Sequence, residues 1–444
     1  MSHTAELIAV GTELLLGNIA NTDAQMLSQS LSTLGVNVFW HTVVGDNPQR
    51  LREALDIARH RADIILTTGG LGPTYDDLTK QTICAAFGQK LVLHEDILED
   101  IRAFYQSALH VPMPENNTQQ AELPEGCTVF DNPVGTAPGC AFEADGVHVL
   151  MLPGPPHECE TMLRRCVEPY LRALSKEVIV SHDIMTFGMG ESSVDQLLHD
   201  RMVRMVNPTL ATYAKPCEVR LRATAKAAGA EEAEAMLAPV VAEVRAALGD
   251  YVYGVDVKGL EAVCFQLLKE RNLTLSTAES CTGGMIAQRL TSVSGASEVF
   301  GYGFVTYWEQ AKAKLVGVDP AVIAQYNVVS APVAAQMALG AAKAAGADIA
   351  VSVTGLAGPG GGDAVRPVGT VYLGAARGDK AYVKKLFVSR PDRALIRARA
   401  AQTALELALR LAQGKTPAGT QVLAESAQHD PAALTALDET LRAE

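Results

Sequence analysis

Thr277-Ala-Glu-Ser-Cys-Thr-Gly-Gly284 follows a short apolar, β-branched run, Leu273 to Ser276, that is bounded by Asn272. After it, Met285 to Leu290 carries helix-forming residues with apolar spacing. The stretch therefore reads as a strand-to-helix turn in an α/β domain. Ser280 is expected where the free N–H groups and positive dipole end of the new helix converge, a place suited to a nucleophile, an oxyanion or a phosphate. An ordinary N-terminal cap explains the same residues, since Ser and Thr are preferred there whatever the chemistry.

The histidines narrow the chemistry. All ten lie outside residues 200 to 428, so a nucleophilic Ser280 has no imidazole base within its own domain. Proton transfer falls to Lys or Tyr, and the nearest candidates are Tyr307 and Lys312 in Phe304-Val-Thr-Tyr-Trp-Glu-Gln-Ala-Lys312. Cys281 is a rival nucleophile, although its thiolate would depend on the helix dipole and Lys312 alone.

Around this turn, helices at 258 to 271, 283 to 291 and 331 to 346 alternate with apolar strands. The strand Ile349 to Val353 runs into Thr354-Gly-Leu-Ala-Gly-Pro-Gly-Gly-Gly-Asp363, whose glycines, Gly358 and Gly360 among them, suit backbone amides facing an anion; a surface loop is the alternative. Arg390, Arg393 and Arg397 open the last long helix as candidate phosphate partners or as solvated arginines. After Ala412 the strand pattern ends, leaving a linker at 413 to 419 and a short helix over 430 to 444.

The first 170 or so residues also alternate strand and helix, as an open parallel sheet would. Ile64 to Leu66 leads into Thr67-Thr-Gly-Gly-Leu-Gly-Pro-Thr-Tyr-Asp-Asp-Leu-Thr79. Gly69, Gly70 and Gly72 let amides approach a phosphate, and Asp76 and Asp77 are placed to hold a divalent ion bridging it; turn punctuation and a helix cap are the plainer reading. Asn132 to Gly139 and Leu152 to Glu158 are two more turns of this kind, and the three together would make one pocket. Residues 176 to 252 read as a small α+β unit, in which Gly188-Met-Gly-Glu-Ser192 is either a site or the start of a helix.

A chain of 444 residues at about 150 per domain holds roughly three domains. A formal net charge of −13 disfavours nucleic acid or anionic membrane as the main partner. No apolar run reaches the roughly 18 residues of a membrane span, and the first residues lack a signal-peptide pattern, so the expectation is a cytoplasmic protein. The eight cysteines include no C-x-x-C pair and read as free thiols.

Gly11-Thr-Glu-Leu-Leu-Leu-Gly17 with Asn21-Thr22, Thr68 to Thr74 with Asp76-Asp77, Gly135-Thr-Ala-Pro-Gly139, Thr277 to Gly284, and Thr354 to Gly362 with Pro367-Val-Gly-Thr370 together resemble the competence/damage-inducible protein A family from about residue 5 to 412. The resemblance implies a molybdopterin-binding-like parallel-sheet domain at 1–172, a KH-type α+β domain at 176–252, an α/β deamidase domain at 257–413 and a tail at 414–444. It implies two activities. The N-terminal domain would hydrolyse ADP-ribose to AMP and ribose 5-phosphate with a divalent metal, magnesium or similar, potassium also being open. The C-terminal domain would convert nicotinamide mononucleotide and water to nicotinic acid mononucleotide and ammonia without a cofactor.

Carried over by motif, Ser280 is the nucleophile and Tyr307 and Lys312 its acid/base partners. Ser297, Thr354, Gly358, Gly360 and Arg393 would bind that substrate. Gly69, Gly70, Gly72, Thr74 and Asn117 would bind the other, with Asp76 and Asp77 on the metal. A Lys312 that is neutral at pH 7 needs its pKa lowered by about three units, at a cost of about 4 kcal/mol, and so should be buried or sit near a cation. The chain departs from the family pattern at Gln119, where Lys is usual, and at Asp23, Pro155, Trp308-Glu309 and Arg366. If the usual Lys neutralises a phosphate, Gln119 removes that charge. Expected partners are nucleotide substrates and a second copy in a homodimer, with neither nucleic acid nor membrane. The alternatives are a non-catalytic nucleotide- or molybdopterin-binding module and a competence or DNA-repair accessory protein.

Overall fold

The computed structural model describes residues 3–174 and 177–443, so the expected boundary at 176 and the ends at 1 and 444 lie outside the described residues. The apolar runs near the N-terminus are buried on both sides, as strands of a covered sheet must be. Strands β1 (Thr4–Val10), β2 (Asn37–Val44), β3 (Ile64–Thr68), β4 (Thr128–Phe130), β5 (Gly139–Ala144) and β6 (Val147–Leu152) form one sheet in the order β2-β1-β3-β6-β5-β4. The pairings from β2 to β6 are parallel, and those of β6 with β5 and β5 with β4 are antiparallel. The expected parallel sheet thus carries an antiparallel extension, because only two residues, Asp145 and Gly146, join β5 to β6. Leu27, Leu31 and Met162 cover one face, and Leu51 and Leu55 cover the other together with Ile83 of helix α1 (Thr79–Ala86).

Glu218–Ala227 alternates half-buried and buried residues throughout, the pattern of a sheet with one dry face. With β7 (Val178–Thr186), β8 (Thr209–Lys215) and β10 (Val252–Val255), this strand, β9, makes the middle sheet in the order β8-β9-β7-β10. Gly188-Met-Gly190 is the turn before the helix Glu191–Arg204, so the plainer of its two readings describes it.

The C-terminal sheet joins β11 (Leu275–Glu279), β12 (Phe300–Val305), β13 (Ile349–Gly355), β14 (Thr370–Arg377), β15 (Lys380–Phe387) and β16 (Gln421–Ala424) in the order β12-β11-β13-β14-β15-β16. β11 is parallel to both neighbours, and the rest of the sheet is antiparallel. Ile349, Val351 and Val353 face the core under helix α5 (Arg393–Ala412), while Ala350 faces the one under α4 (Ala331–Ala345). Helices α2 (Met285–Thr291) and α3 (Glu309–Val316) start at the carboxyl ends of β11 and β12.

Two expectations for this domain change. β11 runs three residues beyond the apolar stretch because Thr277 and Glu279, though polar, are buried in it. The chain does not lose its strands after Ala412. Gln421–Ala424 pairs with β15, and its single buried residue, Leu423, is too short a pattern to read in sequence. The tail then forms α6 (Pro431–Ala443), which buries Leu434, Leu437 and Leu441.

Candidate functional site

Glu279, the last residue of β11, sets the geometry of the serine turn. Its carboxylate accepts hydrogen bonds from the N–H groups of Gly284 (3.0 Å), Ile286 (3.0 Å) and Ala287 (2.9 Å). Gly283 and Gly284 take the left-handed backbone, with φ of 60° and 95°, that turns the chain back over this side chain. The first amides of α2 are thus consumed by Glu279, and the expected convergence of free N–H groups on Ser280 does not occur. Arg397 fixes the other side of the turn, donating from Nε to the Cys281 carbonyl (3.0 Å) and from Nη2 to that of Thr282 (2.8 Å). It is therefore a brace for the turn rather than a phosphate partner.

Held in this way, the Ser280 hydroxyl accepts a hydrogen bond from Lys312 Nζ at 3.1 Å. Lys312 also donates to the Thr306 carbonyl at 2.7 Å and is 0% exposed. Burial pushes its ammonium down to about 8. No carboxylate pairs with it among the described residues, so the proton is held loosely. Burial moves the Cys281 thiol the opposite way, up to about 11, which leaves it protonated and unsuited to the role of nucleophile.

A cavity of about 810 Å³ opens over this pair, lined by Ser280, Tyr307, Lys312, Thr354, Gly358, Gly360 and Arg393 among others. Seven residues expected at one site thus meet in one space. Arg393 donates to the Gly358 carbonyl (2.6 Å) and to the Tyr307 hydroxyl (3.2 Å), so Tyr307 pairs with Arg393 rather than with Ser280 or Lys312. The Thr354 hydroxyl is committed to the Val328 carbonyl at 2.8 Å. Ser297 is not in the cavity. It is exposed in the turn Ala296–Glu298, ahead of β12, at the amino ends of the strands, opposite to Ser280 at their carboxyl ends. Gln310 and Val328 line the cavity without having been singled out in sequence, and Glu309, noted there only as a departure from the family pattern, lines it too.

In the N-terminal domain the three glycine turns meet as expected. Gly69, Gly70, Gly72, Thr74, Asp76, Asp77, Ala137 and Gly154 share a cavity of about 590 Å³. Gly69 has φ 92°, and a Cβ there would lie 2.1 Å from the Val10 carbonyl oxygen, so the turn admits only glycine. The Thr74 hydroxyl bonds to Asp76 (2.5 Å) and Asp77 (2.6 Å), which draws the two carboxylates together. Asn117 is buried and is not part of the lining, but it donates at 2.8 Å to Gln120, which is. Gln119 donates to the Gly72 and Thr74 carbonyls at 3.1 and 3.3 Å and ties down the loop that a lysine at this position would charge. A different lysine, Lys80 of α1, is buried beneath, donating to the carbonyls of Gln119 and Gln120.

The lining of this cavity includes Glu13, Asp46, Asp76, Asp77 and Glu158 but no Lys or Arg. A phosphate entering alone would meet only like charge. An all-oxygen set of this kind suits a hard divalent cation held by one or two carboxylates and completed by substrate phosphates. Among the described residues no three His, Cys, Asp or Glu converge as a ready-made metal cage. Asp76 and Asp77 are the residues that would hold the ion. No helix among the described residues is long and apolar enough to cross a membrane.

Comparison with known proteins gives three matches in chain order. They are a probable molybdopterin binding domain over 6–173, a damage-inducible protein CinA KH domain over 181–254 and a CinA C-terminal domain over 257–412. A protein named competence-damage inducible from Caldicellulosiruptor bescii is 49% identical over 375 residues, 84% of this chain and 91% of the relative. A CinA-like protein from Kosmotoga olearia is 47% identical over 406 residues, 91% of this chain and 98% of the relative. Identity at this level over nearly the whole length of both chains places the protein in the CinA, or competence/damage-inducible protein, family.

Proposed function

We propose that the C-terminal domain deamidates nicotinamide mononucleotide with Ser280 as the nucleophile. The observation that carries this reading is the 3.1 Å hydrogen bond between Ser280 and a fully buried Lys312 that has no carboxylate partner. Neutral Lys312 takes the hydroxyl proton as Ser280 Oγ attacks the carboxamide carbon. The resulting ammonium then stands beside the oxyanion, a role the amides of α2 cannot fill because Glu279 occupies them. Lys312 next gives its proton to the departing nitrogen, and ammonia leaves with an ester on Ser280. Water, deprotonated by the same lysine, hydrolyses the ester to release nicotinic acid mononucleotide and restore the hydroxyl. Arg393 and the Gly358 turn bind the ribose phosphate, and Tyr307 orients Arg393.

The N-terminal cavity supports the second activity, hydrolysis of ADP-ribose to AMP and ribose 5-phosphate. A bound divalent ion would supply charge neutralisation and polarise the phosphoryl oxygen there. The chain's own part is to hold that ion with Asp76 and Asp77 and to present the Gly69–Gly72 backbone to the pyrophosphate. The test is ammonia release from nicotinamide mononucleotide in the presence of a chelator. Release at an undiminished rate is expected, and a rate that falls to background would contradict the metal-free mechanism.

A further inference from the structure

Next to the serine cavity, in the same domain, lies another of about 890 Å³ that the deamidation does not use. The two share Glu309, Gln310 and Val328, so the first turn of α3 is a wall of both. The size lies within the range of small-ligand sites, roughly 300–1,000 Å³. Its charges are the reverse of those in the N-terminal cavity. Lys314, Arg366 and Arg442 line it against a single carboxylate, Glu309. Arg366 and Arg442 are steadied by Asp363 (3.2 Å) and Asp438 (2.7 Å), while Lys314 is exposed. Pro320, Ile323 and Ala324 supply an apolar wall.

Arg442 comes from α6, which lies beyond the stretch 257–412 that matches the CinA C-terminal domain. The helix is firmly seated: Leu434, Leu437 and Leu441 are buried, the Thr435 and Tyr326 hydroxyls are bonded at 2.8 Å, and Lys385 donates to the Arg442 carbonyl at 3.0 Å. We propose that the cavity walled by α6 is a second ligand site, for a nucleoside 5′-monophosphate. Lys314 and Arg442 take the phosphate, the plane of Arg366, held by Asp363 and by the Tyr326 carbonyl (3.3 Å), and the apolar wall take the flat base, and the ribose spans them.

The test is hydrogen exchange on the full chain with AMP and a chelator, which keeps the carboxylate-lined N-terminal cavity from competing. AMP should slow exchange in peptides covering 309–328 and 431–443. Lys314→Glu, which removes no internal ion pair, and Arg442→Gln should each raise the AMP concentration needed by about ten-fold or more. Absence of protection there, or protection unchanged in both variants, overturns the assignment. Equal protection by ribose 5-phosphate at the same concentration removes the base from it. In the Ser280→Ala protein, saturating nicotinamide mononucleotide should leave the AMP effect intact; displacement would make the cavity an arm of the serine site. Failure of the deamidase reading would instead show as no protection of 277–284 by nicotinamide mononucleotide, with the AMP result untouched.

Discussion

The serine cavity and the N-terminal glycine-loop cavity face opposite charge problems. In the first, a lysine is buried without a direct ion-pair partner among the described residues, and burial brings its ammonium down to about 8. In the second, five acidic residues line the cavity with no Lys or Arg beside them, and only Asp76 and Asp77 are drawn together, by the Thr74 hydroxyl. On the reading proposed above, one site loses a proton and the other takes up a cation. This is why two superficially similar glycine turns after apolar strands support different chemistry.

The comparison breaks most sharply at Ser280. Ser280→Ala should lower ammonia release on the order of 10⁴-fold or more while leaving ADP-ribose cleavage unchanged. Chelation should do the reverse, cutting ADP-ribose cleavage by about 10³-fold or more and sparing deamidation; loss of both activities would erase the distinction. Lys312→Met should cost on the order of 10² to 10³ in kcat at unchanged thermal stability or better.

The pH dependence of the wild type follows from the sign of the Lys312 shift. Neutral lysine is the reactive form, so the rate should climb as pH rises and level off above about 8. Between about 8 and 10.5 the native state has released a proton that the unfolded chain still holds, so the cost of burying the ammonium falls and stability from this group rises with pH. A rate that falls across pH 7 to 8 would contradict the role of base.

Smaller effects sharpen the picture. Glu279→Gln replaces an ionised acceptor of three amides and should lower unfolding stability by about 1–3 kcal/mol in a denaturant titration. Tyr307→Phe should change kcat by less than about ten-fold and raise KM instead, because the hydroxyl bonds to Arg393 and not to the reacting pair. A large kcat loss with KM unchanged would return Tyr307 to proton transfer.

Much of this was legible from residue order. The lack of histidine between 200 and 428 narrows the candidate base to Tyr307 or Lys312, between which only the fold distinguishes, and strand-end glycines at 69, 135 and 154 foretell a shared cavity, because strand ends on one side of a sheet are neighbours. What escaped depends on side-chain direction. Glu279 ends a short strand that also carries Ser276 and Thr277, and nothing in its neighbours tells whether it faces water or a helix start. Glu13, Asp46 and Glu158 are separated by up to 145 residues, so their convergence exists only in the fold. Ser297 precedes β12 rather than following it, and a strand direction decides at which end of the strands it lies.

The most direct test of the covalent mechanism is mass analysis of enzyme acid-quenched during turnover of nicotinamide mononucleotide. The account predicts an adduct of the nicotinic acid mononucleotide acyl group, confined to the peptide that carries Ser280 and absent from the Ser280→Ala protein. Turnover in which no adduct is trapped at any quench time at the pH of full activity, or an adduct on Cys281, would contradict it.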